Sequence, residues 1–326
     1  MDMTRVLPDE CMSLIISFTS PRDACRMALV SRALRSVADS DAVWQVFLPC
    51  DYKEIISKSL SSPSLLSLPK KDLYFSLCHR SILFDDGTTS FRLEKENGKK
   101  CYMLGARALS IKWADTPDYW SWISLPESRF SEVPKLKKVW RLDVKGRIEL
   151  KTLSYRTNYS AYLVFKIVRD RYGFRHTPVE FRVIINEGTA SGEVRSVILD
   201  PPPNVPQQAK ERGDGWLEIE MGEFLNEGGD DTRVEFYLRG VHDNQPKRGL
   251  IIEGIELRPK DNRTIQNSKF DSVFLDCTTG ILRFTVSLFP SSFASHRMHR
   301  HLAFTMRAWE GNSRLIGYKD LALLKS

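Results

Sequence analysis

The stretch "VWRLDVKGRIEL", residues 139–150, decides the fold of most of the chain. Apolar and charged residues alternate from position 140 to position 145, the glycine at position 146 interrupts them, and Ile148 and Leu150 resume the alternation. A period of two predicts a β-strand with one buried face and one solvent face. Residues 139–150, near the middle of the chain, are therefore predicted to form a β-strand.

The same alternation recurs further along the chain. Residues 161–168 are apolar on both faces, which is typical of a central strand in two stacked sheets. Turn-rich breaks such as "DPPPNVPQQAKERGDG" (200–215) separate the candidate strands. Many short strands with few helical patterns predict a jelly-roll-like all-β sandwich over residues 101–260. The alternating positions are Phe181, Val183 and Ile185, then Leu217, Ile219 and Met221, and then Val234, Phe236 and Leu238.

Residues 1–50 are predicted to form a small helical domain. Pro8 suits the first turn of a helix, and Ser20 is the expected N-cap of a second helix, with Asp23 reaching back to it. Helices this short bury little surface, so we expect a partner or the following domain to stabilise them. The buried stripe of the second helix is predicted to comprise Ala24, Ala28 and Leu29.

Two further segments complete the predicted organisation. Residues 51–100 are predicted to be a partly helical connector, because "SKSLSSPSLLSLPKK" (57–71) resembles a loop whereas "DLYFSLCHRSILF" (72–84) suits a helix. Residues 261–326 form a C-terminal extension of unknown structure, whose apolar residues are dispersed and which carries no motif. It is either an appended, partly ordered segment or a sequence that arises from an alternative gene model. The fold class is therefore α+β multidomain, with a small helical domain followed by the sandwich.

Composition excludes several classes of protein. No run approaches the roughly 20 apolar residues that span a bilayer, and the polar N-terminus does not resemble a signal peptide, so we expect no membrane association and a cytoplasmic or nuclear location. The six cysteines form no CxxC pair, which predicts free thiols. The net charge of +7 comes from interleaved acidic and basic residues, so we do not expect nucleic acid as a partner.

The run "LPDECMSLIISFTSPRDACRMALVSRALRSVADSDAVW", residues 7–44, resembles an F-box. The resemblance implies docking onto a Skp-type adaptor and, through it, onto a cullin in a ubiquitin ligase. An alternative is that these residues form only the core of a small helical cap. The adaptor-binding residues that the resemblance implies are Leu7, Pro8, Ile15, Ile16, Val30, Leu34 and Trp44.

Four later blocks resemble the phloem protein 2 domain, which is similar to the tobacco agglutinin, a lectin. They are "CYMLGARALSIKWADTPDYWSWISLPESRF" (101–130), "VWRLDVKGRIELKTLSYRTNYSAYLVFKI" (139–167), "DGWLEIEMGEFLN" (214–226) and "RGLIIEGIELRPK" (248–260). With the F-box, the whole chain resembles the plant F-box proteins of the phloem protein 2 B type. The resemblance implies a lectin-like sandwich.

Within the first block, "WADTPDYWSW" (113–122) is unusually rich in aromatic residues. The lectin resemblance implicates Trp113 and Trp120 in binding chitin-type oligosaccharides and N-glycan cores, and indole rings do stack on the apolar face of a pyranose. We expect Trp122 to be a core anchor. Arg233 stands where the lectins have an acidic residue, which Asp230, Asp231 or Glu235 could replace. The candidate carbohydrate-binding residues are Trp113, Trp120, Tyr119, Asp115 and Asp118.

The leading functional prediction is a non-catalytic substrate receptor of a Skp-cullin-F-box ubiquitin ligase, whose sandwich recognises a protein or glycoprotein target. No histidine stands with a Ser or Cys elbow motif, so we expect no enzyme activity, no cofactor and no metal ion. The alternative is a cytosolic or nuclear carbohydrate-binding defence lectin without ligase function.

Overall fold

A computed structural model describes residues 8–59, 63–185, 193–228, 232–240 and 245–260, together with the backbone of four strands between residues 272 and 322. The chain divides into two compact units, Met1–Asp261 and Asn262–Ser326. Among the described residues, no helix has both the length and the apolar character needed to cross a membrane.

The N-terminal part is helical, as predicted. The predicted cap is confirmed, because the Ser20 hydroxyl accepts the Asp23 N–H at 3.1 Å and Pro21 opens the helix. The Ser31 hydroxyl caps the next helix in the same way, accepting the Leu34 N–H at 3.1 Å. The helices are α1 (Asp9–Ser17), α2 (Pro21–Met27), α3 (Arg32–Ala38), α4 (Asp41–Phe47), α5 (Tyr52–Ser57) and α6 (Lys70–His79).

Trp44 is the centre of the helical core. Its side chain is fully buried, and its indole N–H donates to the Ala38 carbonyl at 2.8 Å. The rings of Phe47, Tyr74 and Phe75 surround it at centroid distances of 5.5, 5.1 and 5.2 Å. Since Tyr74 and Phe75 belong to α6, this helix closes the core that α1–α4 leave open.

The predicted sandwich is confirmed as two antiparallel sheets. The larger sheet has the order β1-β2-β3-β14-β8-β12-β11, with β6 pairing with β14 and β5, and the smaller has the order β10-β9-β13-β7-β4. Their inner faces meet in one core, where the Phe224 and Phe236 rings lie 6.0 Å apart. The strands are β1 (Ile82–Phe84), β2 (Thr89–Leu93), β3 (Lys100–Gly105), β4 (Ser110–Ile111), β5 (Trp120–Ile123), β6 (Val133–Leu136), β7 (Asp143–Glu149), β8 (Thr157–Tyr172), β9 (Val179–Ile185), β10 (Val194–Val197), β11 (Lys210–Glu211), β12 (Leu217–Asn226), β13 (Arg233–Gly240) and β14 (Arg248–Pro259).

Three sequence predictions meet different outcomes here. The central strand predicted at 161–168 is confirmed, because β8 pairs with both β12 and β14. The strand predicted at 139–150 begins only at Asp143. Before it, Val139 forms an isolated bridge with Lys247, and the neighbouring Trp140 is 51% exposed. The sheet also begins before residue 101, at β1 and β2, whose identity as strands depends on pairing with β3.

The helices and the sandwich are packed into one unit. The Tyr74 hydroxyl contacts the Glu94 and Lys95 carbonyls in the β2–β3 turn, at 3.1 Å each. In the same turn, Gly98 has a φ of +69°, and a Cβ there would lie 2.6 Å from the Phe47 carbonyl oxygen. Glycine is therefore required where the turn meets α4.

A buried ionic cluster fastens two loops to the outer face of the larger sheet. The Glu256 carboxylate on β14 is 1% exposed and lies 2.6 Å from Arg212, 3.3 Å from Arg129 and 3.6 Å from Arg92. Burial alone would raise the pKa of Glu256, but the neighbouring Arg129 and Arg212 outweigh it and hold the pKa at about 2. Glu253 is also buried, and burial raises its pKa.

In the described part of the C-terminal unit, four strands pair antiparallel in the order β15-β16-β17-β18. They are β15 (Ser272–Cys277), β16 (Gly280–Ser287), β17 (Ala303–Ala308) and β18 (Leu321–Ala322). The sequence predicted no structure for this extension, because its apolar residues do not follow one clear period.

Candidate functional site

The loop between β4 and β5 holds Trp113 in an unusual backbone conformation. Its φ is +61°, a left-handed value that bulky residues rarely adopt. Hydrogen bonds fix the loop on both sides of this residue: Lys112 N–H donates to the Asp143 carbonyl at 3.0 Å before it, and Thr116 N–H donates to the Trp113 carbonyl at 3.0 Å after it. Further along, Lys137 N–H donates to the Tyr119 carbonyl at 2.8 Å. Strain of this kind persists where the surrounding structure imposes it, and it is concentrated at functional sites.

Trp113 and Tyr119 form an exposed pair of rings, here called the aromatic platform. Trp113 is 41% exposed and Tyr119 is 36% exposed, with ring centroids 5.2 Å apart and ring planes inclined at 36°. The Lys112 ammonium lies over the Trp113 ring, 4.5 Å from its centroid, so one face of the indole already carries a cation–π contact. The remaining exposed ring surface lies next to this positive charge, which suits a ligand with both C–H faces and polar groups.

Trp120 does not belong to this platform. It is 2% exposed, and its indole N–H donates to the Lys112 carbonyl at 3.2 Å, so no ring face is open to a sugar. At least one of the three tryptophans was expected to anchor the core, with Trp122 as the candidate; the fully buried one is Trp120, and Trp122 packs against the core only partly buried. Trp122 is half-buried, and the Arg107 guanidinium covers its ring at 3.4 Å.

The two candidate aspartates are exposed on the same loop. Asp115 lies 3.5 Å from Arg107, whose guanidinium also bonds to Glu132. Asp118 has no ion-pair partner among the residues that the structure describes. Between them, the Pro117 carbonyl accepts a hydrogen bond from the Lys137 ammonium at 2.7 Å, which fixes the tip of the loop. The structure brings together Trp113 and Tyr119, whereas it records no contact of either aspartate with their rings.

Arg233 lies away from the platform. It is the first residue of β13 and pairs with Glu149 at the end of β7, whereas Lys112 bonds to Asp143 at the beginning of β7. Six residues of strand separate these positions by about 20 Å. The departure at Arg233 therefore does not bear on the platform. Glu235 is buried and paired with Lys145 at 2.9 Å, and Asp230 and Asp231 lie outside the described residues.

The predicted adaptor-binding residues divide between core and surface. Ile16, Leu34 and Trp44 are buried in the helical core, and Ile15 is partly buried. Pro8 and Val30 are exposed, so they are available to a partner. Leu7 lies outside the described residues.

Sequence reasoning missed three exposed apolar residues on the helical unit. Leu29, predicted to be buried, is 78% exposed because α2 ends at Met27 and Leu29 lies in the turn that follows. Phe18 is 54% exposed at the end of α1, and Val46 is 59% exposed on α4. An apolar pair in a turn, Leu29-Val30, directly before the N-cap Ser31 was the available signal. These exposed apolar residues are candidates for contact with a partner protein.

No group of three or more His, Cys, Asp or Glu side chains in the described ranges is arranged to hold a metal ion. The described residues offer two exposed apolar features: the apolar side chains on the helical unit and the aromatic platform on the sandwich. The fold defines a class of two-module protein, in which short helices precede an antiparallel β-sandwich.

Comparison with known proteins identifies the family. Residues 4–48 match the F-box-like family, and residues 99–259 match the family described as Phloem protein 2. The F-box protein PP2-B10 of Arabidopsis thaliana is 46% identical over 257 residues, covering 77% of this chain and 92% of its own length. The putative F-box protein PP2-B12 of Arabidopsis thaliana is 45% identical, covering 78% of this chain and 97% of its own. F-box protein SKIP3 from the same plant is 41% identical, covering 78% and 87%. The chain belongs to the F-box proteins that carry a phloem protein 2 domain, which confirms the sequence prediction.

Proposed function

We propose that this chain is the substrate receptor of a Skp-cullin-F-box ubiquitin ligase in the cytoplasm and nucleus. Its helical unit binds a Skp-type adaptor, and its sandwich selects a glycosylated target through the aromatic platform. The chain supplies binding surfaces, and the bond-making chemistry belongs to the other subunits. The proposal rests on one observation: the helical unit of this chain, whose relatives are F-box proteins, matches the F-box-like family and also exposes apolar residues.

The adaptor side rests on residues that the chain does not cover by itself. Leu29 and Val30 are 78% and 57% exposed in the turn between α2 and α3. Burying such side chains against a partner helix recovers hydrophobic free energy that the monomer forgoes. A hydrogen bond from α3 holds the turn in place, because the Arg35 guanidinium donates to the Ala28 carbonyl at 3.1 Å. A preformed apolar turn is well suited to dock without reorganisation.

The adaptor test is a binding measurement on the full chain carrying Leu29→Asp and Val30→Asp. Anchors at an interface typically contribute about 2 kcal/mol or more each, so each change should weaken adaptor binding roughly thirtyfold. The matched control is Leu225→Asp, which places the same charge at an exposed apolar position of the sandwich, 46% exposed. Adaptor affinity that is equal in the double variant, the control and the wild type would remove the adaptor proposal.

The glycan side rests on the platform. Trp113 is held in a strained conformation with its ring exposed, and Tyr119 extends the apolar surface. Neither ring is needed to fill the core, and such rings stack on the C–H faces of pyranoses. A glycan array probed with the full chain tests this, with Trp113→Ala as the variant that should lose signal.

The defence-lectin alternative shares the platform and differs at the helices. It predicts glycan binding without adaptor binding, whereas the substrate receptor requires both. The two measurements above, made on one preparation, therefore separate the two functions.

A further inference from the structure

An open groove of about 410 Å³ lies on the surface at strands β5 and β6. Ser121 on β5 and Lys135 on β6 are directly paired there, and Leu136 and Lys137 continue the lining. Asp170 and Arg248 complete it, and these two side chains form an ion pair. The volume falls in the range of about 300–1,000 Å³ that small-molecule sites occupy.

The groove carries an excess of positive charge. Lys135, Lys137 and Arg248 line it against one carboxylate, that of Asp170. Within the described part of the chain, the Lys135 ammonium and the Ser121 hydroxyl have no side-chain partner. Ammonium and hydroxyl groups donate hydrogen bonds, and the oxygens of a carboxylate or sulfate accept them, so the two groups together suit such an anion.

Lys137 joins this groove to the aromatic platform. Its ammonium donates to the Pro117 carbonyl at 2.7 Å and its N–H donates to the Tyr119 carbonyl at 2.8 Å, so the groove and the platform share a border. The Lys112 ammonium beside Trp113 adds a further positive charge. Because Lys137 both lines the groove and bonds to Tyr119, a saccharide stacked on the platform needs only a neighbouring ring to reach the groove cations, which a neutral sugar would leave unused.

From these observations we propose that the groove is a subsite for the carboxylate or sulfate of an acidic saccharide, whose neighbouring ring stacks on the platform. This inference rests on the proposed glycan recognition and specifies its ligand class. An acidic peptide would also satisfy the cations, but it would need an added apolar or aromatic residue to stack on the two rings, whereas every pyranose ring already carries a C–H face. The observations therefore favour a saccharide that has both an apolar C–H face and a negatively charged group.

The test is a calorimetric titration of the full chain with matched pairs of glycans. One pair is tetragalacturonate and its methyl ester, and the other is sulfated and unsulfated chitotetraose, so that carboxylate and sulfate are distinguished. We expect the acidic member of at least one pair to bind roughly tenfold or more tightly, with the preference falling as salt is raised. Lys135→Gln and Arg248→Gln should abolish the preference, while Lys210→Gln, an exposed cation on β11, should not.

Each other outcome overturns a defined part of the reasoning. Equal binding of both members of each pair removes the anionic subsite and leaves the proposed glycan recognition standing. A preference that survives Lys135→Gln and Arg248→Gln removes the groove as its location. If hepta-glutamate displaces the glycan and binds the wild type and Trp113→Gly equally well, the ligand of the groove is an acidic peptide and not a saccharide. Absence of binding to every glycan removes the glycan recognition itself, and the subsite with it.

Discussion

Replacing Trp113 with glycine separates a binding role from a core role more sharply than replacing it with alanine. Trp113 occupies a left-handed conformation, at a φ of +61°, which costs a non-glycine residue about 1–2 kcal/mol. Glycine adopts this conformation without strain. The ring is 41% exposed, so the packing lost with it is partial and the strain relieved offsets it. We expect the free energy of unfolding to change by about 1 kcal/mol or less.

The matched comparison is Trp120→Ala, seven residues further along the chain. Trp120 is 2% exposed, and its indole N–H is bonded to the Lys112 carbonyl. Cutting a buried tryptophan to alanine typically costs about 3–5 kcal/mol. At about 2–4 °C per kcal/mol for a domain of this size, the melting temperature should fall by roughly 6–20 °C.

The assay is thermal unfolding followed by glycan titration on the same preparations of wild type, Trp113→Gly and Trp120→Ala. Ring stacking contributes about 1 kcal/mol or more, so Trp113→Gly should weaken binding roughly fivefold or more while melting near the wild type. A Trp113→Gly variant that melts as low as Trp120→Ala and binds glycan normally would refute the platform. Wild-type melting of Trp120→Ala would refute its assignment to the core.

Three further predictions concern the fold. Glu256→Gln should lower the free energy of unfolding at pH 7 by about 3–5 kcal/mol, because it leaves the arginines around it buried without their counter-charge. Since the pKa of Glu256 lies at about 2 when folded against an ordinary 4.5, its ionised form stabilises the fold above pH 4.5. That stabilisation is lost as the pH falls towards 2, so the difference between variant and wild type should shrink in acid denaturation curves; a constant difference would contradict the pairing. A fragment spanning residues 82–260 should melt cooperatively and give a β-type circular dichroism spectrum. The shorter fragment 101–260 should be several kcal/mol less stable, because it lacks the buried Phe91 and Leu93. Equal melting temperatures of the two fragments would show that β1 and β2 are dispensable. Removal of residues 262–326, a separate compact unit, should leave cooperative unfolding of the remainder intact, and loss of soluble protein on truncation would contradict this division.

Local patterns predicted the features that depend on local physics. The period-two alternation identified β9, β12 and β13, because each has one face in the shared core. The capping signal at Ser20 identified the start of α2, since an N-cap depends only on the residues that follow it.

Features that depend on tertiary pairing escaped the sequence reasoning. Trp120 and Trp122 lie two apart on the same strand, yet only Trp120 is fully buried, and the ring of Trp122 is covered by the Arg107 side chain instead of by the core alone. Leu29 fits the stripe of α2, but the helix ends two residues earlier. β1 and β2 are too short for a period to emerge, and their pairing with β3 defines them.

The site was predictable in its location and less so in its members. The density of aromatic residues between 113 and 122 indicated the loop, but only the backbone angle of Trp113 and the burial of Trp120 separate platform from core. The groove beside it draws on β5, β6, β8 and β14, so no single stretch of sequence displays it.

The central claim is that one chain holds the ligase adaptor at its helices and a glycan at its sandwich at the same time. The most direct measurement immobilises the glycan selected by the array and records whether purified Skp-type adaptor is retained when the full chain is added. We expect the wild type to retain the adaptor, and either Trp113→Gly or the Leu29→Asp, Val30→Asp double variant to lose it. Binding of the chain to the glycan surface with no retention of adaptor would contradict it.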